Sequence, residues 1–118
     1  GIAICYDLRF PELFRSGGDV LAWVLTAAFT YTTGQAHWEI LLRARAIENQ
    51  CYVVACGQGG WHDNGRRTYG HSMIIDAWGV VQTVREEGEG VVIAPLLASR
   101  NERVRSSLPA LKHRVLAC

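Results

Sequence analysis

The sequence predicts an α/β fold built on a mixed sheet, and three features point to it. Continuous apolar runs of strand length at residues 2–4, 20–25 and 51–56 suit a sheet covered on both faces. Residues 37–49 are free of Gly and Pro and rich in strong helix formers, so helices alternate with the early strands. Past residue 70 two β-rich runs flank Asp76-Ala77-Trp78-Gly79, a hairpin signature with glycine where a positive φ is wanted.

Taken in order, residues 2–4 read as a short buried strand. Pro11 then opens a helical turn through Phe14, because proline is tolerated where a helix N–H has no partner. Ser16-Gly17-Gly18-Asp19 breaks that turn before the strand at 20–25. Residues 27–35, polar and bearing Thr and Gly, read as a loop. In the helix at 37–49, Trp38, Leu41, Leu42 and Ala46 fall on neighbouring turns, and Ile40 and Ile47 widen the apolar face. Glu39, Arg43, Arg45 and Glu48 must then find water or partners. Residues 51–56 form the third strand, and 57–68, full of Gly, His, Asp, Asn and Arg, a long loop of the kind that rims or covers a site. The hairpin strands are 71–76 and 80–85, followed by a tight connection at 86–90 and a further strand at 91–94. Ala98–Ser107 is an arginine-rich helix capped by Ser99 and ended by Pro109, and the tail beyond it shows no period.

Of the 118 residues, 49% are hydrophobic and 19% charged, which places the chain with globular rather than disordered proteins. The net charge is +1 and Arg66-Arg67 is the only adjacent basic pair, so no stripe exists for a phosphate backbone and nucleic acid is not an expected partner. The longest apolar run, residues 20–29 across Thr26, is too short to span a bilayer, so no membrane partner is expected. Cys5, Cys51, Cys56 and Cys118 lack C-x-x-C spacing; three of them sit in apolar, strand-like surroundings, and all read as free thiols of a soluble, cytoplasmic protein. His37, His62, His71 and His113 are too scattered for a metal pair, and no metal or cofactor is expected. His37 suits the start of its helix, His71 the inside of a strand, and His62 either solvent or a substrate contact. The chain opens at Gly1 directly on a strand with no cap or turn before it, so residues 1–118 are read as the C-terminal part of a larger domain.

Cys5 carries the first hint of chemistry. It follows an apolar strand and precedes a helical turn, the place where α/β proteins expose a nucleophile outside the carboxyl end of a strand. Position alone leaves open that Cys5 is a small buried hydrophobe.

The string Cys5-Tyr6-Asp7-Leu8-Arg9-Phe10-Pro11-Glu12 resembles the nucleophile motif of the nitrilase superfamily of carbon–nitrogen hydrolases, close to its amidase branches. Further matches follow in order: Ala28-Phe29-Thr30, His37-Trp38-Glu39, Arg43-Ala44-Arg45-Ala46-Ile47-Glu48-Asn49, Tyr69-Gly70-His71-Ser72 and Asp76-Ala77-Trp78-Gly79. Together they cover nearly the whole chain. The resemblance implies part of a four-layer α-β-β-α sandwich and hydrolysis of a non-peptide amide bond of a small molecule through a cysteine thioester. In that family a glutamate acts as general base and a lysine stabilises the oxyanion.

By the same resemblance Cys5 is the nucleophile and the Tyr6 backbone N–H an oxyanion donor. Arg9 and Thr30 would bind a substrate carboxylate; the residues alone also allow Arg9 to pair with Asp7 or Glu12, Thr30 to stabilise a turn, and Glu39 either to brace the pocket or to stand in solvent. The family's glutamate and lysine precede the cysteine, whereas only four residues precede Cys5 here and the only lysine is Lys112. The isolated chain is therefore expected to be inactive. The alternatives are a truncated or degenerate half with an assembly role, and a Cys-His hydrolase using one of the four histidines. Residues 38–49 match a surface used for dimer packing in the family, so a homo-oligomer is expected. The helix after Glu12 is shorter than the family's, which bears on that surface and on the placement of Cys5.

Overall fold

The computed structural model describes residues 1–116. Five strands form one sheet in the order β1-β2-β3-β6-β7: β1 (Ile2–Ile4), β2 (Ala22–Ala27), β3 (Tyr52–Gly57), β6 (Ser72–Ile75) and β7 (Val81–Arg85). β1, β2 and β3 run parallel, and β6 and β7 are added antiparallel, so the sheet is mixed as the sequence predicts. A two-stranded ribbon, β4 (Gly59–Trp61) with β5 (Arg67–Tyr69), stands beside it.

One face of the sheet carries the core. Ala3, Leu25, Val53, Ala55, Met73 and Ile75 point to this face and are buried against Phe14 of α1 (Pro11–Ser16) and Leu42 and Ala46 of α3 (Glu39–Asn49). The strand period of two sends their neighbours to the opposite face. There Ile2 is 80% exposed, Ile4 63% and Val24 44%, an apolar surface that none of the described elements covers. Uncovered apolar side chains on a sheet face are what half of a sheet-on-sheet sandwich presents. Cys56 lies exposed on this face rather than buried as expected; Cys51 is buried, Cys5 half-buried, and Cys118 lies outside the described residues.

Four expectations are corrected. Residues 27–35 are not all loop: α2 (Tyr31–Thr33) and a wide π turn (Gly34–Trp38) lead directly into α3. Gly34 packs against Tyr69, whose side chain a Cβ at position 34 would strike. The span 57–68 is the β4–β5 ribbon and its tip, because Arg67 stacks 3.7 Å from the Tyr31 ring centroid and 5.7 Å from that of Trp61, contacts that leave no hydrophobic period. Residues 91–94 form no strand; Val91 and Ile93 are 79% and 84% exposed, and among the described residues no strand pairs with them. His71 lies just before β6 in a left-handed conformation (φ 58°), not inside a strand.

The helix α4 (Ala98–Ser107) forms as predicted, but its N-cap is Leu97 without a side-chain cap, not Ser99. It is tied to the amino-terminal ends of the strands. The Asn101 amide donates to the Leu21 carbonyl at 2.9 Å, and the Arg105 guanidinium donates to the carbonyls of Gln50 and Val20. Among the described residues no helix is long and apolar enough to cross a membrane.

Candidate active site

The parallel strands β1, β2 and β3 deliver their carboxyl ends to one rim, where Cys5, Tyr6 and Arg9 follow β1 and Thr30 follows β2. β1 ends at Ile4 and the chain turns at once into a 3-10 helix, Cys5–Arg9. Cys5 itself adopts φ 47°, a left-handed conformation that costs a residue with a Cβ roughly 1–2 kcal/mol. Such strain persists only where the surroundings fix it. Asp7 turns its carboxylate back, its Oδ2 accepting the Ile4 N–H at 2.8 Å.

A second restraint comes from α3. Within a 3-10 helix the Leu8 carbonyl would accept the N–H three residues on, but that residue is Pro11, which has none. Arg45 fills the gap. Only 5% exposed, it donates Nε at 3.0 Å and Nη2 at 2.7 Å to the Leu8 carbonyl, while Nη1 reaches Glu48 Oε1 at 2.9 Å and the guanidinium lies 5.5 Å from the Phe14 ring centroid. Sequence reasoning left Arg45 in search of a partner. The available signal was its place three and four residues from Leu42, Asn49 and Glu48, on the buried side of the helix.

Arg9 makes neither of the acidic pairings the sequence allowed. Its guanidinium lies 5.5 Å from the Tyr6 ring centroid and 5.3 Å from that of Phe29, with Nη1 3.4 Å from His37 Nδ1, and no carboxylate of the described residues is within ion-pair distance. Thr30 follows Phe29 in the chain and is itself exposed. The Thr30 hydroxyl is 2.7 Å from that of Thr33, and its carbonyl accepts the Gly34 N–H at 2.8 Å, so Thr30 does stabilise the start of the helix. Glu39 pairs with Arg43 at 3.6 Å, with both side chains about half exposed.

Beneath Arg9, Phe29 packs on Trp38 at 4.9 Å, and the Trp38 indole N–H donates to the His71 carbonyl at 2.8 Å. Trp38 is thus buried within the chain, leaving Ile40 and Ile47 exposed on the outer side of α3. The His71 ring stacks on Tyr69 at 3.8 Å. Burial, followed by the negative charge of Glu39, raises the Tyr69 phenol above its ordinary pKa. Away from the rim, burial pushes the Cys51 thiol up to about 11, which suits packing rather than reactivity.

Of several cavities, two lie at opposite ends of the strands, and a third of about 440 Å³, lined by Cys56, Gln58, His62, Arg85 and Glu86 among others, adjoins the second. One of about 260 Å³, lined by Arg15, Asp19, Gln50, Arg105 and Lys112 among others, lies at the amino-terminal ends of the strands, far from Cys5 in the fold. The other, about 230 Å³, is lined by Ala28, Gln58, His62, Asn64, Arg66 and Thr68 on the same rim as Cys5. Cys5 lines neither. Among the described residues no three His, Cys, Asp or Glu side chains come together as a metal site.

The family model for carbon-nitrogen hydrolases matches residues 1–106. A deaminated glutathione amidase of Synechocystis is 51% identical over 98% of this chain and 43% of that protein. The solved structure of the Caenorhabditis elegans NitFhit protein superposes with TM-score 0.91 and 47% identity, covering 98% of this chain and 28% of that one. A Saccharomyces cerevisiae member of branch 10 of the nitrilase superfamily superposes with TM-score 0.91 and 36% identity, covering 98% and 44%. The chain therefore spans less than half the length of these relatives.

Proposed function

The chain belongs to the carbon-nitrogen hydrolase family, and from that premise we propose that it is the C-terminal part of an amidase whose nucleophile is Cys5. The Cys5 thiol gives its proton to the general base as its sulfur attacks the carbonyl carbon of a small amide, the carbonyl electrons move to oxygen, and the tetrahedral intermediate collapses to a thioester as that proton passes to the departing amine. Water then attacks the thioester, releasing a carboxylic acid and restoring the thiol. The Tyr6 N–H, next to the sulfur on the same 3-10 turn, is an oxyanion donor. The base and the oxyanion cation come from residues outside the 118, since Lys112 sits at the opposite end of the fold.

The single observation that carries this reading is the left-handed Cys5 at the end of β1, held by Asp7 and by Arg45 through Leu8. Arg9, unpaired with any carboxylate of the described residues, supports a substrate carboxylate beside Thr30. Deaminated glutathione, named for the relatives, is the first amide to assay. The uncovered sheet face would take the second sheet of the sandwich, and the exposed Ile40 and Ile47 on α3 a second protomer of a cytoplasmic homodimer.

The test is steady-state kinetics on the completed polypeptide. Cys5→Ala should abolish turnover, and Arg9→Ala should raise KM for acidic amides at least tenfold. An unchanged specificity constant in Arg9→Ala removes the substrate assignment. The 118 residues alone should turn over no amide; activity that Cys5→Ser abolishes would show that the base and cation are not needed.

A further inference from the structure

Arg9 is held at its faces by rings and at one edge by a histidine. The guanidinium lies over Tyr6 and Phe29, 5.5 and 5.3 Å from their ring centroids, and its single hydrogen bond among the described residues runs from Nη1 to His37 Nδ1 at 3.4 Å. Ring faces attract a cation without fixing how its planar fork turns above them. An acceptor at the edge does fix that turn. Arginine has no acceptor of its own, so His37 accepts through Nδ1 and carries its ring proton on Nε2.

The choice of edge matters for the chemistry. A carboxylate is gripped by two parallel N–H groups of the fork, and Nε with Nη2 forms one such pair. With Nη1 turned to His37, that pair has no hydrogen-bond partner among the described residues. His37 reaches its place from the wide π turn Gly34–Trp38, a local distortion that concentrates at functional positions. Both ends of the turn are anchored: Gly34 packs on Tyr69, and Trp38 is buried with its indole N–H on the His71 carbonyl. His37 is exposed and belongs to no part of the core, so packing does not account for it.

We propose that His37 is a positioning residue for Arg9: its Nδ1 sets the rotation of the guanidinium so that the Nε and Nη2 edge stands ready for the substrate carboxylate. The inference rests on the amidase reading and deepens it, by naming what orients the group that selects acidic amides over neutral ones. One hydrogen bond from a charged donor at an exposed site corresponds to roughly a three- to tenfold effect. The effect falls on KM, because the carboxylate is gripped equally in the bound substrate and in the transition state.

The test uses the completed polypeptide and two matched amides, one bearing the carboxylate and one with a primary carboxamide in its place. His37→Leu keeps bulk without an acceptor, and His37→Asn keeps an oxygen near the place of Nδ1 without the ring. On the acidic amide, His37→Leu should raise KM three- to tenfold with kcat within twofold, and His37→Asn should bring KM back to within twofold of the unsubstituted protein. The carboxamide should show neither change, and in an Arg9→Ala background His37→Leu should add nothing. An unchanged KM on the acidic amide, an equal rise on both amides, a loss carried by kcat, or an Asn variant no better than Leu overturns the proposal. If Arg9→Ala raises KM and His37→Leu does not, the amidase reading stands and this proposal alone falls. If neither amide is hydrolysed, the amidase reading fails on its own, and calorimetric binding of the acidic amide to Cys5→Ala protein decides: weaker binding in His37→Leu supports the positioning role and unchanged binding overturns it.

Discussion

Replacing Arg45 with methionine isolates the restraint on the nucleophile turn. The side chain is 5% exposed, so its interactions are not diluted by solvent. Its two N–H contacts at 3.0 and 2.7 Å converge on a single acceptor, the Leu8 carbonyl, and count as one charge-assisted bond of about 1.5–3 kcal/mol. The pair with Glu48, which is 27% exposed and three residues away on the same helix, adds about 0.5 kcal/mol. Methionine returns part of the packing on Phe14, so Arg45→Met should cost about 2–3 kcal/mol, a fall of roughly 1–2 M in the urea midpoint. The same substitution frees the turn that holds Cys5 in its left-handed conformation, and a nucleophile displaced by about 1 Å loses on the order of a hundredfold in kcat. Both effects are read on the completed polypeptide by urea titration and by kcat. A midpoint shift below about 0.3 M together with unchanged kcat would refute the positioning role.

At Cys5, Ala and Gly both remove the thiol, but only Gly adopts φ 47° without strain, so Cys5→Gly should be more stable than Cys5→Ala by about 1 kcal/mol in paired urea titrations. The reverse order would mean that the turn relaxes without the sulfur. Cys51 gives a pH prediction. Its folded pKa of about 11 exceeds the ordinary 9.0, so its contribution is fully present below pH 9 and is lost as pH rises toward 11. That loss approaches about 3 kcal/mol. Cys51→Ala should flatten the stability profile over this window, and an unchanged slope would contradict the assignment. Gly34→Ala drives a Cβ into Tyr69 and should destabilise by about 1–3 kcal/mol, measured as a fall in Tm.

Much of the sheet was legible because continuous apolar runs and a Gly-bearing turn are local signals. β2 lies two residues later than its apolar run, since Val20 N–H is engaged by the Gly18 carbonyl in a turn. The ribbon and the start of the long helix were not legible. Arg67 stacking on Tyr31 and Gly34 packing on Tyr69 are tertiary contacts, and locally they look like loop composition. The site shows the same division. Cys5, Arg9 and Thr30 could be singled out from contiguous motifs, and the structure sets the Arg9 guanidinium over the Phe29 ring. Arg45 could not, because its partner is a carbonyl 37 residues away whose need for a donor arises from Pro11.

The most direct measurement is intact-protein mass spectrometry of the completed polypeptide, acid-quenched during turnover of a small amide. A mass gain equal to the acyl group, mapped by digestion to the peptide bearing Cys5 and absent from Cys5→Ala protein, is the predicted result. An acyl adduct on another residue, or turnover that persists in Cys5→Ala protein, would contradict the account.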